Sequence, residues 1–178
     1  MGDQQARFEQ IYLQHHRDVR RYVGRRLVEP EVDDATADVF VVAWRRLAEL
    51  PPDDRVLPWL YSVARRVLAN EYRRARRART LVEQIGEQQP NADHADAVAD
   101  RMAVAAAFDD LTEADQEIIR LVAWESLNST QVAAVLGCAR TTAAMRISRA
   151  RRRLSRALHA PPAAAVALPV VEQRGISR

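Results

Sequence analysis

Arginine carries most of the chemistry this sequence can offer. Between Ala139 and Leu158 there are seven arginines and no acidic residue. Arg140 stands beside Thr141 and Thr142 at the head of that stretch, and Arg146 and Arg149 follow one helical turn apart. A guanidinium is a planar fork that pairs with phosphate and makes a bidentate contact to guanine in a major groove. The preceding residues, "STQVAAVL", form a short apolar run that stops at Gly137, so 128–154 reads as helix, glycine turn and second helix. That is the pattern of a helix-turn-helix. A solvated basic helix is the competing reading. The missing acids favour nucleic acid.

A second block, Arg65 to Arg79, holds seven arginines and one acid, Glu71. It follows Trp59 and Tyr61 and contains Tyr72. Arginine mixed with aromatics suits single-stranded or distorted DNA, because ring faces stack on exposed bases while guanidiniums track phosphates. Trp59 reads first as a packing residue. Asp33, Asp34 and Asp38 have the side chains of metal ligands but lack a nearby His or further carboxylates at suitable spacing. They read as a negative first turn answering a helix dipole, or as a surface for a protein partner. There is no glycine-rich phosphate loop, nucleophile–base set or metal signature, so neither an enzyme nor a cofactor is expected.

The elements that position these groups follow from composition and period. The chain has 178 residues, 48% of them hydrophobic and 6% aromatic, with 5 Gly and 8 Pro. So few turn residues argue against an all-β protein. All 27 basic residues are Arg and the net charge is +3. From Leu81 to Glu117 there are ten acids and one base, so an acidic stretch separates the two basic blocks. Cys138 is the single cysteine, which rules out an internal disulfide and a cysteine zinc site. No apolar run reaches the length of a membrane span, and the acidic, polar N-terminus is unlike a signal peptide. A soluble cytoplasmic protein is expected.

Phe8, Ile11, Tyr12, Val19, Tyr22 and Val23 fall on one helical stripe, in an element expected to end at Pro30. Asp33 or Asp34 would cap a second helix carrying Ala35, Val39, Val42, Ala43, Leu47 and Leu50. Pro58 would sit in the first turn of a third, which buries Leu60, Val63, Ala64, Val67 and Leu68. Helix resumes near Met102, Thr112 opens another helix with Asp115 three residues on, and Asn128 or Ser129 caps the next. The fold is therefore all-α, with two small helical domains over 5–79 and 101–158. Residues 80–100 are expected as an acidic flexible linker and 159–178 as a disordered tail.

These residues together resemble the extracytoplasmic-function (group 4) sigma factors of the sigma-70 family. "VDDATADVFVVAWRRL" is similar to that family's region 2 polymerase-binding helix, and "LPWLYSVARRVLANEYRRARR" to the segment after it. "LTEADQEIIRLVAWESLNSTQVAAVLGCARTTAAMRISRARRRL" resembles region 4. The resemblance spans about residues 8–158. It departs from the family at Ala37, a frequent Gln, and at Arg66, where many relatives have Asn. Cys138-Ala139-Arg140 replaces a more usual Ile-Pro-Glu, and Thr141 a common Gly.

The resemblance implies a factor that binds core RNA polymerase and opens promoters without ATP. Asp33, Asp34, Asp38, Phe40, Val41 and Trp44 would meet the β′ clamp helices, with the β flap as a further polymerase contact. Trp59, Tyr61, Ser62, Arg65, Arg66, Asn70, Arg73 and Arg74 would recognise the −10 element as single strand. Arg140, Thr141, Thr142, Met145, Arg146 and Arg149 would read the −35 duplex. Arg152, Arg153 and Arg156 would add general electrostatics. An anti-sigma factor is a further expected partner, and a membrane is not. A stand-alone helix-turn-helix regulator and a polymerase- or RNA-binding adaptor are the alternatives, separated by dependence on core polymerase.

Overall fold

The computed structural model describes residues 2–81 and 95–159, with side chains described except at 2, 75–81 and 95–101. Every regular element among the described residues is helical. The helices are α1 (Gly2–Gly24), α2 (Glu31–Arg45), α3 (Asp53–Leu81), α4 (Ala95–Asp109), α5 (Glu113–Ala123), α6 (Ser129–Leu136) and α7 (Arg140–His159), with a short 3-10 turn at Leu47–Glu49.

Helices α1, α2 and α3 pack on one another through the apolar stripes expected of them. Val19 and Val23 of α1, Val39 and Ala43 of α2, and Leu60 and Ala64 of α3 are fully or almost fully buried. Removing a large aliphatic side chain such as Leu60 from water contributes about 1.5–3 kcal/mol. Helix boundaries move by several residues. α1 stops at Gly24 rather than at Pro30. α2 starts at Glu31 with Pro30, not Asp33 or Asp34, in the N-cap position. Its acids lie inside the first turn, where the unpaired N–H groups favour negative charge. α3 starts at Asp53, so Pro58 lies within the helix. Only the bond to the Asp54 carbonyl is lost there, close enough to the helix start for the helix to continue.

In the second half, Leu121, Val132, Ala143 and Ala150 form the centre of the packing. Thr112 caps α5 by accepting from the Asp115 N–H. Asn128 caps α6, its side chain accepting from the Thr130 and Gln131 N–H groups, while the Gln131 side chain accepts from the Asn128 N–H at 3.0 Å. Both orphan donors of a capping box are thus satisfied. Gly137 ends α6 at φ 63°, and a Cβ there would meet nothing within 4 Å. The requirement for glycine is conformational, since this left-handed backbone disfavours any side chain.

Of the stretch expected as linker, 80–81 and 95–100 are helical, in α3 and α4. Residues 82–94 and the expected tail beyond His159 lie outside the described residues.

The two halves also touch. α6 packs across α3, and two carboxylates from the second half reach the end of α1.

Candidate nucleic-acid and protein interfaces

α7 has two different faces. Ala143, Ile147 and Ala150, at three- and four-residue spacing, are buried against α5 and α6. The small alanines let the helices cross closely. The opposite side presents Arg140, Thr141, Met145, Arg146 and Arg149 to solvent, with Thr142 half-buried at the edge. Among the described residues, no ion pair engages Arg140, Arg146 or Arg149. Arg153 behaves otherwise. It pairs with Asp115 of α5, whose carboxylate is buried and also accepts from the Thr112 hydroxyl at 3.0 Å. The acid missing from α7 is therefore supplied by α5, and Arg153 is tied into the fold instead of adding free charge.

α3 divides along its length. Arg65, Arg66, Asn70, Arg73 and Arg74 are exposed. Arg73 donates to the Asn70 side chain at 2.8 Å and to the Ala69 carbonyl, and Arg74 pairs with Glu71 at 2.9 Å. The N-terminal part of the expected site is different. Trp59 is half-buried against the core. Ser62 is buried, its hydroxyl donating to the Trp59 carbonyl at 2.7 Å. Tyr61 is buried too, stacked on Tyr22 with 4.8 Å between ring centroids. In this arrangement Tyr61 and Ser62 are not surface residues, which corrects their expected placement on an open DNA face.

α2 forms one wall of a groove of about 480 Å³, and Phe8, Tyr12 and His16 of α1 form the other. Val41 and Trp44 are exposed along it, whereas Asp34 and Asp38 are exposed on α2 outside its lining. Trp44 meets Phe8 edge-on at 5.0 Å, and Tyr12 meets Phe40 at 4.8 Å. Phe40 itself is buried at the floor, so it supports this surface more than it displays a ring. Asp33 is exposed but accepts from the Arg20 guanidinium at 2.8 Å, which also holds Glu29. The contribution of α1 had a sequence signal, because Phe8, Tyr12 and His16 recur every four residues. Phe8 and Tyr12 read there only as core. No group of three or more His, Cys, Asp or Glu among the described residues could hold a metal ion.

A fourth cluster was not foreseen. Arg26 donates to Glu117 through both Nε (3.0 Å) and Nη2 (2.9 Å), and Tyr22 donates to the other oxygen of Glu117 at 2.7 Å. Arg25 pairs with Glu125 at 2.7 Å, and the Tyr61 hydroxyl lies 3.4 Å from the same carboxylate. Burial, and then the neighbouring carboxylate, raises both tyrosine hydroxyls well above their ordinary range. They stay protonated and act as donors. Arg25 also lies over the Trp124 ring, 5.4 Å from its centroid.

Comparison with known proteins agrees with this geometry. Residues 11–78 match the family model for Sigma-70 region 2, and residues 101–154 match that for Sigma-70 region 4. RNA polymerase sigma factor CnrH of Cupriavidus metallidurans is 31% identical, over 74% of this chain and 75% of its own. ECF RNA polymerase sigma factor SigK of Mycolicibacterium vanbaalenii is also 31% identical, over 71% of this chain and 68% of its own. The solved structure of CnrH in complex with the cytosolic domain of CnrY superposes with a TM-score of 0.57 at 28% identity, covering 83% of this chain and 84% of that one. Sigma factor RpoE in complex with the anti-sigma factor NepR from Bartonella quintana shares the fold, with a TM-score of 0.64 at 22% identity over 85% of this chain and 96% of that one. With region 2 and region 4 matched in order on this helical fold, the chain belongs to the sigma-70 family as an extracytoplasmic-function sigma factor, which binds core RNA polymerase and directs it to promoters.

Proposed function

We propose a division of that work among three helices. α2 docks the chain on core polymerase, through the β′ clamp helices, using its exposed Asp34, Asp38, Val41 and Trp44. α3 engages the unpaired −10 strand through Arg65, Arg66, Asn70, Arg73 and Arg74. α7 reads the −35 duplex, with Arg140, Thr141, Thr142, Met145, Arg146 and Arg149 facing the groove. The initiation factor itself catalyses no reaction. Melting draws on binding energy to the unpaired strand.

The observation that carries this reading is the two-sidedness of α7. Its apolar side is fully used in packing, while its arginine side is left open after a tightly capped turn. A helix so presented fits a major groove, where residues near its N-terminus meet base edges. An anti-sigma factor is a further partner under this reading. The complex of CnrH with CnrY supports it.

Run-off transcription with purified core enzyme and candidate promoters tests the assignment. Promoter-specific transcripts should appear only with core enzyme and this chain together. Trp44→Ala should lose assembly with core, and Arg146→Ala should keep assembly but lose −35 discrimination. Tight, specific promoter binding by the free chain, indifferent to core enzyme, would instead establish a stand-alone regulator.

A further inference from the structure

Met145 is out of character with the surface that carries it. From Arg140 to Ala150 the other exposed residues of α7 are arginine, threonine, serine and alanine, yet Met145 is 57% exposed among them. A step of two residues turns a helix by about 200°. Met145 stands two residues from both Ala143 and Ile147, which are buried. It therefore points almost straight away from the packed face. Its neighbours on the open side are short: Thr141 one turn before, Ala144 beside it and Ser148 three residues on, all exposed. The thioether thus projects beyond them, and Arg149, four residues on, is the next long side chain along that face.

An exposed apolar group regains free energy when it is buried against another. Phosphate and sugar contacts call for charge or hydrogen bonds, which a thioether supplies poorly. On the base edges of a major groove the one methyl is the 5-methyl of thymine. We propose that Met145 is a specificity residue that recognises the 5-methyl group of a thymine in the −35 duplex. The chemistry recognised is a methyl-bearing pyrimidine, so 5-methylcytosine in the same place would satisfy it as well. This rests on the proposed role of α7 and adds a base preference to it. Met145 and Arg149 lie about 6 Å apart along the helix, against about 3.4 Å between base pairs, so the two meet different pairs. The methyl preference is therefore separable from whatever Arg149 contacts.

The test uses core polymerase assembled with the full chain, and a promoter duplex which that holoenzyme selects from a pool randomised across the −35 element. Each thymine of the selected element is replaced in turn by deoxyuridine, which lacks only the methyl. At one position the replacement should weaken binding about fourfold, as expected for one methyl-sized group returned to water. Met145→Ala should show that loss already, and deoxyuridine at that position should then cost nothing more. Met145→Leu should restore the sensitivity, since it is apolar and of similar volume. At the same position, 5-methylcytosine should bind more tightly than cytosine with the unmodified chain and equally with Met145→Ala. Met145 is exposed and alanine favours helix, so Met145→Ala should unfold at the temperature of the parent. Sensitivity to deoxyuridine that survives Met145→Ala overturns the proposal, as does a selected element in which no methyl matters. Failure of the α7 assignment is distinct and removes both readings. Arg149→Ala and Met145→Ala would then leave discrimination among −35 base pairs unchanged, for whole-base and methyl changes alike.

Discussion

α3 and α7 are both arginine-rich helices, yet the fold treats them differently. α7 packs one face and leaves most of its arginines exposed, Arg153 alone among the described ones being held by Asp115 of α5. α3 is used on more than one side. Leu60 and Ala64 face α1 and α2, Tyr61 and Ser62 are buried as well, and the expected DNA face is open only from Arg65 onward among the described residues. A basic helix is thus a nucleic-acid surface only to the extent that its own protein leaves it uncovered. Charge count does not distinguish these two cases.

The comparison can be broken most severely at the packed face of α7. Ile147 is buried, and Ile147→Ala should destabilise the second half by about 2–5 kcal/mol, read as a shift in denaturant midpoint. Arg149→Ala, two residues away but exposed, should stay within about 0.5 kcal/mol. Equal effects at both positions would mean that α7 is not two-sided.

On the open face the expected effect moves from stability to binding. Arg146→Ala should cost about 1–3 kcal/mol in promoter binding by the holoenzyme and relax preference at one or two base pairs. Arg152→Ala should weaken all sequences alike and lower the salt dependence by about one unit of slope. Arg153→Ala should act chiefly on unfolding, because it strips the buried Asp115 carboxylate of its partner. Single-base −35 variants measured at two salt concentrations separate these outcomes. Uniform weakening by Arg146→Ala would make it a phosphate contact.

The turn that aims α7 should show a smaller effect. Gly137→Ala meets no steric neighbour, so its cost is that of the left-handed backbone alone, about 1–2 kcal/mol. Asn at this position should recover part of the loss, because its side chain tolerates that conformation. Asn128→Ala should cost about 1 kcal/mol through the lost cap. Thermal unfolding of both variants checks this, and a Gly137→Ala chain as stable as the parent would remove the conformational argument.

These caps and stripes were legible in the sequence because they are local. Thr112, Asn128 and Gly137 act within four residues of themselves, and the apolar period of α1 or α3 is visible in a window of a few turns. Contacts between distant segments left no such trace. Arg153 looked like free charge until Asp115, 38 residues earlier, was seen to hold it. Arg26 and Glu117 are 91 residues apart, and each alone reads as a solvated side chain. Tyr61 followed from the same limit. A period shows that a face is covered but not by what, and Tyr61 lies beside the main stripe, under a second contact. Phe40 shows the limit of resemblance as a guide. The residue belongs to the helix assigned to docking, yet its position beside Val39 and Ala43 places it inward.

The smallest expected effect compares the two halves under acid. His15 in α1 is buried, and that burial lowers its pKa below the ordinary 6.5, with Asp18 and Asp53 opposing the shift only in part. The unfolded chain therefore binds this proton more readily than the folded one. Stability associated with neutral His15 is complete above the unfolded value, falls as pH drops through 6.5, and levels off below the lower native value. The described second half holds one histidine, His159, exposed at the end of α7. Acidification from about pH 7.5 to about pH 5.5 should thus loosen α1–α3 more than α5–α7, since histidine is the side chain that normally titrates in this window. Amide exchange measured helix by helix at the two pH values would show it. His15→Gln should flatten the difference, because an amide carries no titrating proton. A chain whose α1–α3 protection is equally pH-dependent after that substitution would place the acid-sensitive group elsewhere.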